Sequence, residues 1–393
     1  MIDFNSPRKW SLPLNIILFN ICRLWPFRNR CMWVFGAWEG KKFDDNAKYL
    51  FLYVNREKAD RIRAIWLTDS PDAYEQVQSW GYEVYYNSSL IGKWLQLRAG
   101  VAFYTNGLID FGIFPMIGGA KLIALWHGMG FKKIYNEKYT GIKLKIKKIL
   151  DCLFSWTRRD ITIVTSHWAA AWTERAFTLN PNKVFITGQP RNDAFNRIDK
   201  MEVLKGTCIN PSKRLILYMP TYRSNAMGRD AMQTIVENLY RGDELSSWLD
   251  KTNSVFVVKP HPLTPHIELD NRSNFVILDY KELTNNQELL GVADILITDY
   301  SSCFIDYALL RRSIIFYTPD EKLFFKFSEK VDKDFFDIEH LCQAKDINEL
   351  IEKLSSPFAI VADATNALFE DESIRGTCYS ENVYNVVCEE IGI

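Results

Sequence analysis

The sequence predicts an α/β protein of two Rossmann-like domains with a cleft between them. Three observations predict it. The chain has 393 residues, more than a single hydrophobic core usually supports. Runs rich in β-branched and aromatic residues recur along it, separated by segments suited to helices, which is the signature of a mainly parallel sheet. The pattern pauses in a polar stretch near 197–213 and then restarts. The boundary is therefore expected at about 205, giving domains 1–205 and 206–393.

In the first half, CMWVFGA (31–37), YLFLYV (49–54), IRAIWLT (62–68), YEVYY (82–86), VAFYT (101–105), KLIALW (121–126), ITIVT (161–165) and KVFIT (183–187) read as strands. In the second half, RLILYMP (214–220), SVFVVKP (254–260), FVILD (275–279), ADILIT (293–298) and SIIFYT (313–318) do so. The opening segment SLPLNIILFNICRLW (11–25) reads as an interfacial or a core helix. Asn15 and Asn20 interrupt its apolar run, PFRNRCMW follows it in place of a small-residue cleavage site, and it is too short to span a bilayer.

Composition narrows the function classes. Apolar residues make up 47% and charged residues 24%, as in ordinary folded chains. The net charge is zero but uneven: residues 1–38 carry +4 and residues 121–159 carry +8, an asymmetry that points to an anionic partner. No nucleic-acid partner is expected. The eight cysteines include no CxxC and no zinc spacing, so free thiols in a reduced, intracellular chain are expected. There is no GxGxxG, Walker A or GxSxG motif and no DxD at a strand end. Neither a cofactor nor a metal is expected.

Ligands of parallel sheets bind outside the carboxyl ends of the strands, and polar clusters stand there. TDYSS (298–302) joins the strand ADILIT to a helical run. Capping is one role for Ser301 and Ser302; a helix start that binds phosphate is the other, with Thr298 and Asp299 beside it and Asp306 a turn further on. In KPHP (259–262), two prolines stiffen the chain around His261, and Lys259 and His261 suit a diphosphate. In WHGMGFKK (126–133), Gly128 permits close approach of a ligand, Lys132 adds charge, and His127 suits proton transfer near neutrality. His167 is a rival base without flanking glycines or lysines. Arg191 in GQPRND and Arg223 in PTYR suit bidentate phosphate binding.

In this order the motifs resemble the CDP-glycerol glycerophosphotransferase family, the teichoic-acid primases and polymerases. The likeness rests on FGAWEGKKFDDNAKYLFLYV (35–54), WHGMGFKK, GQPRND, YMPTYR, VVKPHP, VADILITDYSSCFIDYALLRRSIIFY (292–317) and RGTC (375–378). The resemblance implies a two-domain GT-B-like fold and transfer of glycerol phosphate or ribitol phosphate from a CDP-polyol to an acceptor hydroxyl, with release of CMP. It implies His127 as general base, His261 at the pyrophosphate, Ser301 and Ser302 at the donor phosphates, and Arg223 and Asp306 as further donor contacts. One departure stands beside the base: Met129-Gly130 replaces the family's usual Thr-Pro.

The implied acceptors are lipid-linked or oligosaccharide chains of teichoic acid or capsule. The basic segment GIKLKIKKILDCLFSWTRR (141–159) suits such a site, with Ile142, Ile146, Ile149, Leu150 and Leu153 on one helical face. It either packs on the sheet or lies on an anionic leaflet, making the protein peripheral to the cytoplasmic face of the membrane. The alternatives are a GT-B glycosyltransferase using a nucleotide sugar and a non-catalytic nucleotide- or lipid-binding protein. The length resembles the catalytic unit alone.

Overall fold

The structure, a computed structural model, describes residues 12–130, 134, 136, 139–154, 158–223, 227, 231–261, 263–278, 282, 285–327, 342–356 and 366–393. The side chains of 12–13, 150–154, 197 and 366–367 lie outside the description.

By its contacts the chain divides into two units. One holds the residues up to Met129, Ile134–Asp193 and Glu370–Ile393; the other holds Ala194–Phe369. The division falls before the expected boundary at 205, and it returns 370–393 to the first unit. The reason is packing. The helix Tyr379–Ile391 buries Val383, Tyr384 and Val387 in the first unit's core. Asp193 caps it, accepting the amides of Tyr379 and Ser380 at 2.8 Å each.

The first unit is built on seven parallel strands: β1 (Asn29–Phe35), β2 (Arg63–Thr68), β3 (Val84–Tyr86), β4 (Ala99–Tyr104), β5 (Lys121–Ala124), β6 (Ile161–Val164) and β7 (Val184–Ile186). Their order is β3-β2-β1-β4-β5-β6-β7. Inner strands such as β1 and β2 are near-continuous apolar runs because helices cover both faces. One expected strand is not a strand. YLFLYV lies in the helix Asp45–Glu57. This helix buries Leu50, Phe51, Leu52 and Val54 against the sheet, and a short apolar run does not distinguish a buried helix from a strand.

The second unit repeats the plan with β8 (Arg214–Met219), β9 (Ser254–Val258), β10 (Phe275–Ile277), β11 (Ile295–Thr298), β12 (Ser313–Tyr317) and the two-residue β13 (Gln343–Ala344). The order is β10-β9-β8-β11-β12-β13. In each unit the chain builds outward from the first strand, then returns to its other side. The strand order therefore switches at β1/β4 and at β8/β11, and a crevice at the carboxyl ends there is where open α/β sheets take ligands.

The first helix, Leu12–Cys22, turns Asn15, Phe19 and Cys22 inward and leaves Leu14, Ile17 and Ile21 exposed. It is a core helix on one side and an apolar surface on the other.

Candidate functional site

The first unit gathers its chemistry around His127, two residues beyond the end of a buried apolar run. The chain leaves β5 through a strained turn: Trp126 has φ +57° and Gly128 has φ +131°, a backbone that favours glycine and costs other residues about 1–2 kcal/mol. Asn46, fully buried, holds this turn. Its Nδ2 donates to the carbonyls of Leu125 and Trp126 at 3.1 Å each, and its Oδ1 accepts the Arg191 amide at 3.1 Å. The next residue along, Met129, is buried and its sulfur accepts the Thr165 hydroxyl at 3.3 Å. Met129 thus fills a core position beside β6.

The imidazole of His127 is half-buried. It stacks on Trp126 with ring centres 4.3 Å apart and lies 5.9 Å from the Trp38 ring. Its Nδ1 is 3.4 Å from the Thr105 carbonyl oxygen. A carbonyl only accepts, so Nδ1 carries the proton and Nε2 presents its lone pair. Burial pushes the His127 pKa down to about 4; the Thr105 carbonyl opposes this, while Arg191 and Arg159 reinforce it. The ring is a neutral free base at pH 7.

Arg191 reaches the same neighbourhood but is engaged. It pairs with buried Asp45 at 3.1 Å, and Asp45 opens its helix at φ +64°. Gly128 follows His127 in the turn, whereas Lys132 lies outside the described residues. The rival His167 is exposed and sits 3.3 Å from Asp371. Asn46, Asp45, Trp38 and Asp110 were not singled out from the sequence. For Asp45 and Asn46 the signal was the cluster of acids and an amide in FDDN.

The second unit's cluster lies at the β8/β11 switch. Thr298 donates its hydroxyl to the Met219 carbonyl at 2.7 Å, joining the two strand ends. Asp299, fully buried, accepts the amides of Thr221 at 2.8 Å and Tyr300 at 2.5 Å. Its other oxygen takes Arg223 Nη1 at 2.8 Å. Arg223 also grips Asp320 through Nε at 2.7 Å and Nη2 at 3.0 Å, and donates to the Thr221 carbonyl at 2.9 Å. Its guanidinium lies 4.9 Å from the Phe324 ring centre. Burial pulls its pKa down, but Asp299 and Asp320 more than offset this and the net shift is upward. Arg223 was expected to bind phosphate through a guanidinium fork. The structure spends that fork on Asp320, because a buried arginine needs its charge matched.

Lys259 is likewise buried, with Nζ donating to the Glu282 carbonyl. Asp306 is buried in the helix Cys303–Ala308. The groups left partly or wholly open are different ones. His261 is exposed; its Nδ1 accepts the Leu263 amide at 3.2 Å, which places the ring proton of the neutral form on Nε2. Ser301 and Ser302 are half-exposed. Ser302 makes no side-chain cap, and Ser301 Oγ takes a long 3.5 Å contact from the Cys303 amide. The capping role expected for these hydroxyls is therefore weak. Among the described residues no cluster of three or more His, Cys, Asp or Glu side chains is placed to hold a metal ion.

Comparison with known proteins identifies the family. Residues 17–358 match the family described as CDP-Glycerol:Poly(glycerophosphate) glycerophosphotransferase. A teichoic acid poly(glycerol phosphate) polymerase of Bacillus spizizenii is 30% identical over 324 residues, 77% of this chain and 77% of that protein. The teichoic acid ribitol-phosphate polymerase TarK of Staphylococcus aureus is 29% identical over 211 residues, 51% of this chain and 39% of that one. The solved structure of the wall teichoic acid polymerase TagF matches with a TM-score of 0.76 at 20% identity, covering 98% of this chain and 96% of that one. The chain therefore belongs to the CDP-glycerol:poly(glycerophosphate) glycerophosphotransferase family, a phosphotransferase with two Rossmann-like units of the GT-B kind.

Proposed function

We propose that the protein transfers glycerol phosphate, or ribitol phosphate, from its CDP conjugate to an acceptor hydroxyl of a growing teichoic acid or capsule chain. His127 is the general base. The observation that carries this is its state: a neutral, half-buried imidazole with Nδ1 committed to a carbonyl and Nε2 presenting a lone pair. In the reaction the acceptor oxygen attacks the β-phosphorus and the bond to the bridging oxygen breaks. CMP leaves, and the hydroxyl proton goes to Nε2. The negative charge of the bound donor raises the proton affinity of the imidazole as this happens. The second unit holds the donor. His261 Nε2–H and the hydroxyls of Ser301 and Ser302 are its donors toward the diphosphate; Arg223, Asp299, Thr298 and Lys259 shape the loops that carry them. Positioning and charge stabilisation do most of the work in such transfers. Incubation with CDP-glycerol, CDP-ribitol and UDP-sugars, with a lipid extract as acceptor, tests the reading. CMP release from a CDP-polyol alone is expected. Turnover of a UDP-sugar instead would make the protein a glycosyltransferase, and no turnover of any donor would leave a binding protein.

The acceptor end is a membrane surface in this reading, with the protein peripheral to its cytoplasmic face. The helix Gly141–Phe154 leaves Ile142, Ile146 and Ile149 at 74%, 52% and 59% exposure. The first helix leaves Leu14, Ile17 and Ile21 exposed, with Leu24 and Phe27 following. Arg158, just beyond the basic helix, donates to the Gly118 carbonyl at 2.9 Å, and a Cβ on Gly118 would meet the Phe19 carbonyl. Arg158 and Phe19 thus both meet the chain at Gly118. No acidic residue occurs in 12–30 or 141–150, whereas Arg23, Lys143, Lys145 and Lys148 are exposed among them. Apolar stripes edged by cations suit an anionic bilayer. Among the described residues no helix is long and apolar enough to cross a membrane. Flotation with phosphatidylglycerol vesicles is expected, with little on neutral ones, and the Ile142→Ser/Ile146→Ser/Ile149→Ser variant should float several-fold less. Absence of binding to both kinds of vesicle would refute this.

A further inference from the structure

We infer that Asp110 is a positioning residue for His127: its carboxylate locks the ends of β1 and β4 together and thereby sets the orientation and tautomer of the imidazole. The inference rests on His127 being the base. Asp110 itself touches neither His127 nor any group proposed to meet substrate.

The geometry is as follows. After β1 the chain makes a turn in which Trp38, Glu39 and Gly40 have φ of +49°, +59° and +75°. Two of these are not glycine, and such a backbone persists only where its surroundings hold it. Asp110 is fully buried and does the holding. One carboxylate oxygen accepts the Glu39 amide at 2.6 Å; the other accepts the amides of Thr105 at 2.8 Å and Asn106 at 2.9 Å. The Gly107 amide adds a further bond. Thr105 continues the link, its Oγ1 accepting the Trp38 amide at 3.2 Å. Asn87 fixes Asp110 in turn, donating Nδ2 to its carbonyl at 3.2 Å.

Two of the contacts that orient His127 are the Thr105 carbonyl at Nδ1 and the Trp38 ring. Both hang on backbone that Asp110 bonds directly or through Thr105. Only an acceptor with two oxygens serves every one of these amides. Burial pushes the Asp110 carboxyl up to about 6, against the pull of the amides, so the ionised, all-acceptor form prevails at neutral pH.

Asp110→Asn keeps the size but turns one oxygen into an NH2 group that faces amide protons. The chain has five histidines, so long-range 1H–15N correlation resolves their rings, with His127→Gln assigning the one concerned. Wild type is expected to show His127 protonated on Nδ1 alone. Asp110→Asn is expected to show both tautomers, with kcat at least fivefold lower and the KM for CDP-glycerol changed less than threefold. An unchanged tautomer, or a smaller fall in kcat, overturns the inference. If Asp110→Asn does not fold, Thr105→Val carries the test. It deletes the acceptor of the Trp38 amide and leaves the Thr105 carbonyl, and the same tautomer and kcat criteria apply. Turnover by His127→Gln would instead overturn the base reading, a different result from a silent Asp110→Asn.

Discussion

His127→Gln is expected to lower the rate of transfer by roughly 10²–10⁴-fold, the range that a positioned acid–base group contributes, while CDP-glycerol still binds. The imidazole combines a presented lone pair with a neutral state at pH 7. Glutamine fills similar space and accepts no proton. Single-turnover CMP release measures the rate, and titration calorimetry measures donor affinity. Loss of donor binding with an unchanged rate at saturation would place His127 in recognition instead of catalysis. The same residue gives a pH effect of definite sign. Its folded pKa, about 4, lies below its ordinary 6.5. The neutral ring therefore favours the folded state above pH 6.5, and that contribution is lost as pH falls from 6.5 toward 4. In His127→Gln the fall of unfolding midpoint over this window should be shallower.

Arg223→Ala carries the largest expected effect on stability. Removing one partner of a buried ion pair costs about 3–5 kcal/mol, because the remaining charge stays buried without its match. Here two carboxylates lose it, and Asp299 is fully buried. Asp299 also holds the Thr221 and Tyr300 amides, so the loop bearing Ser301 and Ser302 should loosen and donor affinity should fall with stability. Urea unfolding and donor titration on the same preparation check this. A variant that unfolds at the wild-type midpoint but no longer binds donor would make Arg223 a phosphate ligand after all.

These expectations separate what pattern reveals from what packing decides. The strands were legible because a buried parallel sheet writes near-continuous apolar runs, as in RAIWLT and SVFVV. YLFLYV misled because a helix covered by sheet is apolar on most sides, and only the Asp44 N-cap hints at its start. The return of the C-terminal helix to the first unit was illegible, since it depends on Asp193 meeting amides 186 and 187 residues away.

At the site, position was legible and assignment was not. His127, His261, Ser301 and Ser302 were placed by their location at strand ends. Arg191 and Arg223 looked like phosphate ligands because a guanidinium suits an anion; the structure shows which anions they meet, Asp45 in one case and Asp299 with Asp320 in the other. Asp110 carries no sequence mark, as its value comes from amides that follow two different strands.

The sequence by itself determined the fold class, the family and the residue types available at each strand end, because these are local properties of composition and order. Only the tertiary structure decided which charged groups stay open and which are consumed in holding loops. That outcome depends on burial and on partners far apart along the chain, which no local pattern encodes.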